Sequence, residues 1–94
     1  MTQPPMIYSK VKRRLARQLQ AILREWDFRT PVVEEFFILT CNDILAGVSL
    51  DDIYVSLNLF EELEGYEECE GILMACELVT TLTVQILLNK EDDE

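Results

Sequence analysis

Histidine is absent from all 94 residues. Its absence removes the commonest general base and metal-binding side chain, and with it His-dependent triads and the usual zinc sites. Glycine and proline occur three times each, which excludes a collagenous or loop-rich chain. Cysteine also occurs three times, at Cys41, Cys69 and Cys76, without CxxC spacing. Cys69 and Cys76 share a helical face, but about 10 Å of helical rise separates them, beyond disulfide reach. These two thiols therefore read as small buried hydrophobes in a reducing, cytoplasmic setting. No uninterrupted apolar run approaches 18 residues, so no transmembrane segment is expected. The opening MTQPPMIYSKVKRR lacks the apolar stretch of a secretory signal.

What is present suits a helical domain of one unit, residues 1–94, with 49% hydrophobic and 28% charged residues. The charge is unevenly placed. Residues 1–30 hold seven bases and two acids, a net of +5, while residues 31–94 hold Lys90 against sixteen acids, a net of −15. An asymmetry of this size points to a polar partner surface or to the basic segment folding onto the acidic body.

Periodicity predicts four helices and an all-α fold. In residues 6–26, Ile7, Val11, Leu15, Leu19, Ile22 and Trp26 recur every three or four positions, with Lys10, Arg13, Arg14, Arg17 and Arg24 opposite. This is a basic amphipathic helix, with Pro4 and Pro5 at its upstream limit and a core or staple role expected for Trp26. A second helix opens at Thr30-Pro31, a capping residue followed by a proline suited to the first turn, and stops at Gly47. It is apolar on most sides, notably at Phe36, Phe37, Ile38 and Leu39, and so is expected near the centre. A third starts at Ser49, with Asp52 completing a capping box, carries Ile53, Leu57, Phe60 and Leu63 as one apolar stripe, and stops at Gly65. A fourth begins at Tyr66. Its end, through Thr81, Thr83 and Gln85, has the alternation of a strand as well as a helical period. The acidic helical body ends near residue 89, and residues 90–94 form an acidic tail.

The third and fourth segments together resemble a tetratricopeptide (TPR) unit over residues 50–83, the 34-residue TPR period. The turn Glu64-Gly65-Tyr66-Glu67-Glu68-Cys69 is similar to the family's turn. The resemblance implies a helical hairpin with Ile53 and Phe60 at large core positions, Cys69 and Cys76 at the two small ones, and Leu73 large between them. Ser56-Leu57 reverses the family's large-then-small order, and Thr81 stands where the family often has proline. No second repeat is visible upstream, where Glu35 and Asn42 occupy the small positions. The family's modules hold amphipathic peptides, so the resemblance implies a protein-binding role.

No catalytic constellation, metal set or cofactor motif accompanies these helices. Glu61, Glu62, Glu64, Glu67, Glu68 and Glu70 lack the order of a calcium loop and read as a solvated turn. The expected function is non-enzymatic protein binding by a small adaptor, chaperone or regulatory subunit without a cofactor. The apolar surplus at Phe36, Phe37, Leu82, Ile86 and Leu88 marks the protein-binding residues and predicts a homodimer or an obligate complex through residues 78–88. Lys10, Arg13, Arg14 and Arg17 are candidate contacts for phosphate or an acidic partner. Two rival readings rest on charge: an acidic inhibitor that imitates nucleic acid on an enzyme surface, and a nucleic-acid-binding regulator that uses the basic helix.

Overall fold

The computed structural model describes the backbone of residues 6–88 and the side chains of residues 10–88. It is all-α: α1 (Met6–Glu25), α2 (Pro31–Leu45), α3 (Leu50–Glu62) and α4 (Tyr66–Leu88), with no strand among the described residues. The alternation at residues 80–88 is therefore helical. Pro4, Pro5 and the acidic tail lie outside the described residues, as does the side chain of Ile7.

The chain divides into two compact units, a central one of Asp27–Leu78 and a terminal one joining Met1–Trp26 to Val79–Glu94. The central unit contains α2, α3 and the first part of α4. Its helix starts follow from side-chain chemistry. Thr30 Oγ1 accepts a hydrogen bond from the Val33 amide at 3.2 Å, and Ser49 Oγ accepts one from the Asp52 amide at 3.2 Å. Each satisfies an amide that the first turn leaves without a helical partner.

The ends of α2 and α3 share one geometry but not one residue type. After α2, the Gly47 amide donates to Ile44 O and the Val48 amide to Asp43 O, with Gly47 at φ +102°. After α3, the Glu64 amide donates to Glu61 O and the Gly65 amide to Phe60 O, with Glu64 at φ +61°. Both are Schellman terminations, which place a left-handed residue just past the cap. The sequence pattern puts the second stop at Gly65. The left-handed position instead falls on Glu64, and Gly65 precedes the first turn of α4, where its carbonyl accepts from the Cys69 amide at 3.0 Å.

The interior of the central unit takes Val33, Phe37 and Cys41 from α2, Ile53 and Leu57 from α3, and Cys69, Ile72, Ala75 and Cys76 from α4. Phe36 and Phe60 close its margin edge to face, with ring centroids 5.2 Å apart. Phe28 packs on Phe37 at 5.0 Å. The backbones of α2 and α4 approach closely at Gly71. A methyl group there would lie 2.5 Å from Val33 O and 2.9 Å from the Phe37 amide nitrogen, so α2 crosses α4 where α4 has no side chain.

Three core expectations are corrected. Leu73 is 39% exposed, and Ile72 takes the interior position. Leu63 faces solvent, so the buried stripe of α3 comprises Ile53 and Leu57 with Phe60 beside them. Trp26 is half-exposed instead of lying in the core.

The terminal unit is described over residues 6–26 and 79–88. Its buried side chains there are Leu15, Leu19, Val79 and Ile86. On α1, Lys10, Lys12, Arg13, Arg17 and Arg24 are exposed and Arg14 is half-buried, while Leu15 and Leu19 are interior.

Candidate functional site

On α3, residues spaced by four stand one above another, because four residues span slightly more than one helical turn. The core face uses Ile53 and Leu57. About 130° around the helix, Val55, Leu59 and Leu63 form a second apolar row. They are 66%, 54% and 68% exposed. In sequence, Asp51 and Asp52 precede the row, Glu62 adjoins Leu63, and Glu64 follows in the turn; all four are exposed. An uncovered apolar row on a helix is the feature that partner surfaces use.

The electrostatic setting is strongly negative. The central unit holds thirteen acids against one base, Arg29, a net of −12. Arg29 is engaged: its Nε and Nη2 donate to Glu70 Oε1 at 2.9 and 2.6 Å. Those hydrogen bonds hold the Glu70 carboxyl below its ordinary value, with attraction to the Arg29 charge acting in the same direction against some burial. The described part of the terminal unit is the opposite, with six bases against Glu25, a net of +5. Lys10, Arg17 and Arg24 follow at seven-residue intervals on the outer side of α1, with Arg13 beside them.

All three thiols are free and buried. Burial pushes the Cys41 thiol up to about 12, with the neighbouring Cys76 acting the same way. Burial likewise raises Cys76, aided by Glu77, and Cys69, aided by Glu61 and Glu68. The Cys69 thiol donates to Leu57 O at 3.8 Å. Such thiols are poor nucleophiles, because the thiolate is the reactive form. Among the described residues, no group of three or more His, Cys, Asp or Glu side chains is arranged to hold a metal ion.

The residues singled out for protein binding differ in exposure. Phe37 and Ile86 are interior side chains, Phe36 and Leu82 are half-buried, and Leu88 is exposed. Phe37 and Ile86 are thus corrected from partner contacts to core. The exposed apolar side chains near the end of α4 are Val84, Leu87 and Leu88. Val55 and Leu59 escape a reading that follows only the stripe continuous with Ile53, although their spacing to Leu63 is itself a helical signal. Gly71 is also missed, and an isolated glycine inside a helical pattern is the available clue to a close approach.

A search for uninterrupted apolar runs misses one property of α4. Its 23 residues contain an 18-residue stretch long and apolar enough to cross a membrane, of which 33% is buried inside the protein. Helical core elements of globular domains meet the same measure, so length and apolarity decide neither case.

Comparison with known proteins returns no match: no family model fits the chain, and no curated protein or solved structure is significantly similar to it.

Proposed function

We infer that the chain is a non-enzymatic protein-binding module whose docking surface is the outer row of α3. The observation that carries this reading is the exposure of Val55, Leu59 and Leu63 on a helix that already buries Ile53 and Leu57 on another side. A helix that needs only one apolar face to fold carries two. The second face costs solubility unless a partner covers it, since burial of apolar surface is worth about 25 cal/mol per Å². The TPR-like turn supports the same reading, because that family's hairpins present helices to peptide partners.

The test is capture from native extract with the intact protein, compared with a Leu59→Asp variant. Leu59 is exposed, so the substitution leaves the fold intact, which circular dichroism verifies. A protein that co-elutes with the wild type and is lost with the variant supports the reading. Identical co-eluting proteins from both would remove α3 as the docking surface.

A second reading has its own observation. Val84, Leu87 and Leu88 form an exposed apolar end to α4, which favours a homodimer or an obligate complex through residues 78–88. Leu87→Asp with Leu88→Asp should then reduce the mass seen by light scattering to about 11 kDa, the mass of one chain. Leu82→Asp and Ile86→Asp would be uninformative, because Leu82 is half-buried and Ile86 fully buried within the chain itself.

A further inference from the structure

Resting on the protein-binding reading above, we propose that the partner's docking element is an amphipathic helix carrying lysine or arginine at both ends of its apolar row. The charges around α3 select that chemistry. Val55, Leu59 and Leu63 rise about 12 Å along the helix, and Asp52 and Glu62 are separated by about 15 Å of rise, that of about ten residues. Asp51 and Asp52 lie in the first turn of α3, before the row, and Glu62 at its end, with Glu64 in the turn that follows. No basic residue lies on α3, and the single base of the central unit is held by Glu70.

A partner helix laid on the row displaces water from the carboxylates at each end. Charge interactions strengthen there as the surroundings become less polar. A partner carboxylate at either end would meet two like charges, whereas an ammonium or guanidinium group meets two opposite ones. The apolar row supplies contact, and the four acids set the sign of what flanks it. Both ends of the row carry the same sign, so the partner helix can run in either direction. The same acids repel a phosphate backbone or an anionic lipid surface, so neither is the occupant of this face.

Three labelled 18-residue peptides test the proposal against the full chain by fluorescence polarisation. The first places leucines on one face, with lysine pairs about ten residues apart. The second replaces each lysine with glutamate. The third has the composition of the first, scrambled so that no apolar face forms. The first should bind at least tenfold more tightly than either of the others. Leu59→Asp should weaken it at least tenfold, and the milder Leu59→Ser should weaken it to a lesser degree. Replacing all four flanking acids with Asn or Gln should abolish the preference for lysine over glutamate while retaining dependence on Leu59.

Equal binding of the lysine and glutamate peptides, both lost in Leu59→Asp, would overturn the charge selection and leave the α3 docking surface standing. Binding that ignores Leu59, or that the scrambled peptide matches, would overturn both. Failure of all three peptides would overturn this inference, while capture with the Leu59→Asp variant decides the broader reading independently.

Discussion

The two units solve the problem of making an interior in different ways. The central unit buries side chains from three helices, including an aromatic ring and three thiols, and brings two helix backbones together at Gly71. The terminal unit, as far as it is described, buries four aliphatic side chains, Leu15, Leu19, Val79 and Ile86. The central unit achieves this while carrying −12, the described terminal part while carrying +5. The difference teaches that net charge and interior quality are independent here. The unit with the greater self-repulsion closes an interior across three helices and caps two of them, α2 and α3. Local opening follows buried contacts, so α1 should exchange its amide hydrogens before α2 does.

The largest effect should come from Phe37→Ala. Removing a ring that is 1% exposed should cost about 3–5 kcal/mol and unfold the central unit in a urea or thermal melt. Leu19→Ala should cost about 2–5 kcal/mol and act on the terminal unit. Hydrogen exchange read along the chain separates the two. If Leu19→Ala accelerated exchange in α2 and α3 as strongly as in α1, the units would open together and the contrast would collapse.

Gly71→Ala sharpens the same contrast. In an ordinary helix the change gains about 1 kcal/mol from helix propensity. Here the added methyl would meet backbone atoms at 2.5 and 2.9 Å, which a rotamer change cannot relieve. The expected result is a net loss of about 1–3 kcal/mol, as for other overpacked sites. A rise in melting temperature would mean that α2 and α4 do not approach so closely.

The two Schellman ends provide a smaller, signed test. Glu64→Gly should raise stability by about 0.5–1 kcal/mol, since Glu64 holds a φ of +61° that glycine adopts without penalty. Gly47→Ala should lower it by about 1 kcal/mol. A methyl at Gly47 meets nothing within 4 Å, so that change reports backbone conformation alone.

The smallest effects are in pH. Cys41 holds its proton when folded to about 12, whereas an unfolded thiol titrates near about 8.5. The unfolded chain therefore releases protons first as pH rises, and stability should decline above about 8.5. In Cys41→Ala the slope of melting temperature against pH over that range should be shallower. Glu70 acts in the opposite sense. Its folded value is depressed, so its contribution is present above the ordinary carboxylate range and fades as pH falls through the folded value. The pair is exposed, so Glu70→Gln should change the acid limb only slightly.

Much of the fold was legible in the residues. Thr30-Pro31 and Ser49 announce their helices because capping is a local interaction, complete within four residues. Glu64 was not legible, since a turn assigns the left-handed position by where the preceding helix stops and not by which neighbour is glycine. Leu73 and Ile72 show a different limit. Adjacent residues of α4 differ by about 100° in direction, and a helix apolar on most sides does not declare which side faces inward. That choice belongs to α2, which seats on Gly71. The proposed docking surface was half legible: an apolar surplus was expected and Leu88 is exposed, but Phe37 and Ile86 proved interior, and the exposed row Val55, Leu59 and Leu63 was not singled out.

The nesting of the units also bears on how the chain is made. The central unit is one unbroken stretch of sequence, while the terminal unit is assembled from segments on either side of it. Synthesis therefore produces α1 first and its companions in the terminal unit last, with the whole of Asp27–Leu78 in between. During that interval Leu15 and Leu19 have no completed unit in which to be buried, and at about 5–20 residues per second the wait lasts several seconds. A nascent basic helix with an uncovered apolar face is a natural client for a cellular holdase. A circularly permuted gene that places residues 79–88 directly before α1 would remove the interval and test whether expression yield depends on it.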